Sequence, residues 1–118
     1  MNRLTLAAGA TGFLAVALGA FGAHALEGTL SADAQGWWET ATLYALSHAV
    51  AALALSLTDR GWFVRAGWAF VLGAALFSGS LYAMALGAPH QLAMITPLGG
   101  LCFLAGWVMI MIAALKKY

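Results

Sequence analysis

Charged side chains in this chain fall only where water must be. Residues 4–23, 40–58, 66–86 and 94–115 contain no Asp, Glu, Lys or Arg. Each run is roughly 20 residues long, which at about 1.5 Å rise per residue matches a hydrocarbon core of about 30 Å. The pattern predicts an all-α integral membrane protein, a four-helix bundle with spans at about 4–25, 37–57, 66–86 and 97–115. Only 8% of residues are charged and 64% are hydrophobic, whereas soluble domains carry about a quarter charged residues. Four spans consume most of the 118 residues, leaving short loops and a single four-span domain over residues 1–118. A net charge of +1 supplies no basic patch for nucleic acid. Cys102 is the only cysteine; it lies in the fourth run and reads as a small core residue rather than a redox or zinc ligand.

The first run has a second reading. Met1-Asn2-Arg3 is a short basic head, and Ala23-His24-Ala25 resembles a signal-peptide cleavage site. The run exceeds the 7–15 residues of a typical signal core, about 20 in all, so a retained span is expected. Ser31 suits the N-cap of a second helix that begins before its span, with Asp33 in the first turn. Thr96 suits the cap of the last helix, with Pro97 at its first position; the competing start is near Gln91, with Pro97 as a kink.

All five Lys and Arg residues lie on one side of this topology: Arg3, Arg60, Arg65, Lys116 and Lys117. The positive-inside rule then predicts that both N- and C-termini are cytoplasmic. Trp37 and Trp38 suit the outer interface, Trp62 and Tyr118 the inner one. Membrane helices associate by close packing, which small residues permit. Candidate packing positions are Gly12 and Gly19 in span 1, an Ala75, Gly79, Ala83 ladder continuing to Gly87 in span 3, and Gly99 and Gly106 in span 4. Span 2 carries Ala41, Ala45 and Ala49 at the same four-residue step.

Polar groups at membrane depth need partners. Thr40, Tyr44, Ser47 and His48 form one stripe along span 2. His48 is expected near the bilayer centre, with Ser78, Ser80 and Tyr82 of span 3 as candidate partners. His24 and Glu39 come to similar depth and are a candidate pair. The plainest reading of His48 is a neutral core histidine. A proton carrier is the sharper one. Metal ligation is disfavoured because no second His or carboxylate stands three or four residues away. Nothing resembles a nucleophile elbow, and Phe77-Ser78-Gly79-Ser80 reads as a small-residue helix face.

Four segments occur in an order that resembles the YgdD-like family of small bacterial inner-membrane proteins. They are Phe21-Gly22-Ala23-His24-Ala25-Leu26, then Glu39-Thr40 with Tyr44 and His48, then Phe77-Ser78-Gly79-Ser80-Leu81-Tyr82, then Thr96-Pro97-Leu98-Gly99-Gly100 running to Gly106-Trp107. The likeness covers nearly the whole chain. It implies a four-helix protein of the inner (plasma) membrane in a family classed as of unknown function, and it supplies no substrate, cofactor or reaction. Its motifs coincide with the polar positions found by depth. Three functions are therefore expected in descending order. The first is a non-catalytic accessory or scaffold component that packs against membrane lipid, other membrane proteins or a second copy of itself. The second is an oligomeric proton or small-solute transport module lined by the span 2 stripe. The third is an intramembrane enzyme using His24 and Glu39 on a lipid or quinone. No cofactor is implied. A closed core, a wet path to His48, or a lateral pocket shared by His24 and Glu39 would separate the three.

Overall fold

The computed structural model describes residues 1–116; Lys117 and Tyr118, assigned above to the cytoplasmic tail, lie outside them. The helices start where side chains satisfy the free amides of a first turn. Helix α1 (Arg3–His24) is capped by Asn2, whose side-chain oxygen accepts from the Thr5 amide at 3.0 Å. Helix α2 (Ala32–Ser56) is capped as expected by Ser31, which accepts from the Ala34 amide at 3.1 Å. Asp33 in its first turn complements the helix dipole. Gly28 joins α1 to α2 at φ 76°, a left-handed conformation that suits glycine.

A third rod runs over Gly61–Ala85 in three parts: α3 (Gly61–Gly73), a π turn (Ala74–Ser78) and α4 (Gly79–Ala85). A 3₁₀ turn (His90–Met94) leads into α5 (Thr96–Leu115). Pro97 falls in the first turn of α5, where its missing N–H loses no helical bond. Ile95 holds the capping position and makes no side-chain cap bond. Thr96, the expected cap, instead aims its hydroxyl at Ser80 of α4, 2.5 Å away.

Successive helices are antiparallel. Asn2 and Thr5 at the start of α1 bond Ser56 at the end of α2, each at 2.8 Å. At the other end, the Trp38 indole donates to Leu18 O at 2.9 Å. Gly99 near the start of α5 meets the Phe77 backbone, while Gly106 meets Phe70 and the Ala66 carbonyl. The up-and-down order follows, with α2 and the third rod in the middle and α1 and α5 flanking. Arg3–His24, Gly61–Ala85 and His90–Leu115 are long and apolar enough to cross a membrane. Helix α2 is as long, 25 residues, but it carries Asp33, Glu39 and two of the four buried polar residues, His48 and Ser56.

The bundle is small inside and large outside. Its core is dominated by alanine, including Ala8, Ala15, Ala41, Ala45, Ala49, Ala52, Ala66 and Ala113, with Phe70 and Phe103 between them. Phe13, Val16, Leu43, Leu101, Leu104 and Met111 point outward. Such a surface exceeds what a soluble monomer exposes and matches a lipid environment. Trp38, expected at the interface, is only 4% exposed and packs edge-on against Tyr82 at 4.6 Å. The reason is Gly22, which leaves room for the indole ring against α1.

Four of the expected packing glycines sit at helix contacts. A methyl group on Gly12 would reach the Ala49 side chain at 3.7 Å and one on Gly19 would reach Thr42 Cγ2 at 3.0 Å. Gly99 and Gly106 lie closer still to their neighbours. Gly67 and Gly73 were missed; methyl groups there would sit 2.5 Å from Leu4 and Phe103 atoms respectively. The span 3 ladder needs correction. Ala75 and Gly79 are exposed, Ala83 is half-buried, Gly87 lies in the loop, and a methyl group on Gly79 would meet nothing within 4 Å. The buried face runs instead through Phe70, Ala74, Ser78, Tyr82 and Ala85, keeping a four-residue step as far as Tyr82 through the wide turn at Ala74–Ser78. That turn also interrupts a span that the sequence reading treated as regular.

Candidate functional site

His48 is 6% exposed on α2, and both of its ring nitrogens are engaged. Nδ1 lies 2.8 Å from the Tyr44 carbonyl, one turn earlier in the same helix. A carbonyl only accepts, so Nδ1 carries the proton. Nε2 accepts from the Trp107 indole N–H of α5 at 3.1 Å. Indole only donates, so Nε2 is unprotonated. The two partners dictate one neutral tautomer. The Ser47 hydroxyl, 3.2 Å from both Nδ1 and the Tyr44 carbonyl, adds a weak third contact. Aromatic rings close the site: Phe103 stacks on the imidazole at 3.9 Å between centroids, Phe70 meets it edge-on at 5.0 Å, and Tyr44 lies parallel at 5.9 Å. Both ring nitrogens thus have protein partners.

The span 3 groups expected to partner His48 go elsewhere. Ser78, in the π turn, donates to the Ala41 carbonyl at 2.7 Å. Thr42 donates to Trp38 O one turn back, which leaves its oxygen to accept from the Tyr82 hydroxyl at 2.6 Å. Ser80 donates to Phe77 O and accepts from Thr96. Ser56 donates to Leu53 O and accepts from Thr5. Three of these links repeat one device. A hydroxyl gives its proton to its own helix and offers its oxygen to a neighbour. The candidate network is therefore a set of separate clips between helix pairs, with Thr40 and the Tyr44 ring edge facing outward. Among the described residues every buried side-chain nitrogen and oxygen has a partner. Thr42 and Ser56 were missed from the sequence, and Thr96 and Trp107 were named there without these partners. Trp107 carried a usable signal, because tryptophan prefers interfaces and a mid-span indole needs an acceptor.

His24 and Glu39 do not pair. His24 ends α1, both residues are exposed, and no bond joins them among the described residues. Glu39 instead lines a laterally open cleft of about 740 Å³ between α1 and α2, to which His24 does not contribute. A second cleft of about 210 Å³ lies between α1 and the third rod, lined partly by Ala75 and Gly79. Neither is lined by His48. Among the described residues no three His, Cys, Asp or Glu side chains come together in a metal-binding group, and Cys102 is half-buried and free.

These features define a multi-pass helical membrane protein that commits its buried polar groups to helix contacts. Residues 18–100 match the family described as "Protein of unknown function (DUF423)", and the chain belongs to that family. It is 42% identical over 110 residues to the UPF0382 inner membrane protein YgdD of Escherichia coli K12, covering 90% of this chain and 84% of that protein. It is 45% identical over 108 residues to the UPF0382 membrane protein YwdK of Bacillus subtilis, covering 87% and 88%. It is 43% identical over 106 residues to the UPF0382 membrane protein SERP0230 of Staphylococcus epidermidis, covering 87% of each. No solved structure matches. The protein is thus a small inner-membrane protein with lipid as its surroundings.

Proposed function

We propose that this protein acts as a non-catalytic accessory or scaffold component of the inner membrane, holding lipid or other membrane helices against its outer faces. The observation that carries this reading is the closed environment of His48. A transport path along α2 needs water and an exchangeable ring nitrogen at that depth, whereas both nitrogens are committed and three aromatic rings cover the site. An enzyme using His24 and Glu39 needs them in one pocket, and only Glu39 lines the cleft. Reconstitution into liposomes provides the test. Wild type and His48→Gln are expected to be equally tight to protons under an imposed gradient. Flux in wild type that His48→Gln abolishes, with folding intact, would replace this reading with a transport module.

The proposed orientation places both termini in the cytoplasm. The up-and-down order supports it by gathering Arg3, Arg60, Arg65 and Lys116 at one end of the bundle. Reporter fusions after Tyr118 and within residues 87–91 are expected to score on opposite sides, the first cytoplasmic. Equal signals, or the reverse order, would overturn the assignment.

A further inference from the structure

The cleft between α1 and α2 is mostly apolar and carries a single charged residue, Glu39. Gln35 and Glu39 stand towards one end, one helical turn apart on the same face of α2, with Leu26 and Leu30 of the connecting loop also in the lining, and Leu43, Leu46 and Val50 line the remainder with Thr42 and Ser47. Glu39 to Val50 measures about 16 Å along the helix, close to half of a hydrocarbon core of about 30 Å. The cleft therefore covers the depth of one leaflet. Glu39 lies about 10 Å along α2 from Ala32, below the helix start. Among the described residues no hydrogen bond or ion pair engages its carboxylate, and no Lys or Arg lines the cleft. A carboxylate at the edge of the hydrocarbon attracts a cationic headgroup, and no described residue places a Lys or Arg in the cleft to meet it.

We propose that this cleft binds one aminophospholipid, its ammonium held by Glu39 and one acyl chain laid along α2 as far as Val50. Three features select this occupant. The size and lining suit an amphiphile, since ligand sites are typically about 300–1,000 Å³, mostly apolar, with a few placed polar groups. The lone charge is negative, complementary to a protonated amine, and the Gln35 amide beside it can donate to a phosphate oxygen. The cleft stops at mid-span, whereas a partner helix or a second copy would make contact along the whole of α2. The floor is preformed: Gly19 and Gly22 bring α1 against Thr42 and Trp38, so the groove exists without a ligand. This site stands apart from His48, and its failure would leave the sealed core in place.

Native mass spectrometry of the full chain, titrated in detergent with dioleoyl phosphatidylethanolamine or phosphatidylglycerol, tests the proposal. Wild type is expected to retain one ethanolamine lipid per monomer with about tenfold higher affinity than the glycerol lipid, as one charge-assisted hydrogen bond implies. In Glu39→Gln the two lipids are expected to bind alike, at an unchanged unfolding midpoint. Leu46→Trp, which fills the groove from its outer wall, is expected to lower retention of both lipids, and it serves if Glu39→Gln does not fold. Equal affinities in wild type, a preference that survives Glu39→Gln, undiminished retention in Leu46→Trp, or a lipid-free dimer would each overturn the proposal.

Discussion

Gly99→Ala is expected to destabilise the bundle by about 2–3 kcal/mol, while Gly79→Ala leaves it unchanged or slightly more stable. The two glycines both lie in apolar runs and are opposite in surroundings. A methyl group on Gly99 lands on the backbone nitrogen and Cα of Phe77, in the π turn of the third rod. Backbone cannot rotate out of the way as a side chain can, so α5 must move off α3 and α4. Membrane helices are held together chiefly by close packing, so separation removes the main attraction between them. At Gly79 the added methyl meets nothing within 4 Å, and alanine is the better helix former. Thermal unfolding in detergent, with both variants beside wild type, reads the difference directly. Equal losses would mean that Gly79 sits at a contact and that the phase assigned to the third rod is wrong.

The second large effect is expected at His48. Removing its ring by His48→Ala strands the Trp107 indole, frees the Tyr44 carbonyl from its side-chain bond and empties the space beside Phe103. A loss of about 2–4 kcal/mol is expected from the cavity and the lost bonds together. His48→Gln retains a donor and an acceptor and is expected to stay within about 1 kcal/mol of wild type. Trp107→Phe keeps the ring beside Phe70, 4.9 Å away, but leaves Nε2 without a donor, at about 1 kcal/mol. If the two side chains act as one clip, their losses are not additive, and a double-mutant cycle returns a coupling of about 1 kcal/mol. Additive losses would mean that each contributes by packing alone.

The gap between the sequence reading and the structure follows from what a single helix can and cannot encode. The four helices, the apolar character of three of them, the Ser31 cap and the contacts at Gly12, Gly19, Gly99 and Gly106 were readable because each depends on local chemistry or on the thickness of a bilayer. The partner of His48 was not. Trp107 is 59 positions away, and serine, threonine and tyrosine hydroxyls at the same depth were equally able to serve. Most of those hydroxyls satisfy their own helix first, so their presence in a span does not say which neighbour they meet. The span 3 ladder failed for a geometric reason. A four-residue step does not say which face of a helix is inward: Phe70, Ala74, Ser78 and Tyr82 follow the same step one position earlier, through the wide turn, and are buried, which leaves Ala75 and Gly79 on the outer side. The pairing of His24 with Glu39 rested on depth alone, and equal depth does not bring two side chains to the same side of a helix pair.

Whether the buried polar residues hold helices together or move protons comes down to one ring, and ¹⁵N NMR of His48 in lipid bilayers at neutral pH observes it directly. Selectively labelled protein is expected to show a single neutral form with its proton on Nδ1 and Nε2 accepting from the Trp107 indole. That proton should exchange slowly with water, and the Nε2 signal should shift in Trp107→Phe. A proton on Nε2, a mixture of tautomers, or rapid exchange with bulk water would contradict a sealed structural histidine and return α2 to the list of candidate conduction paths.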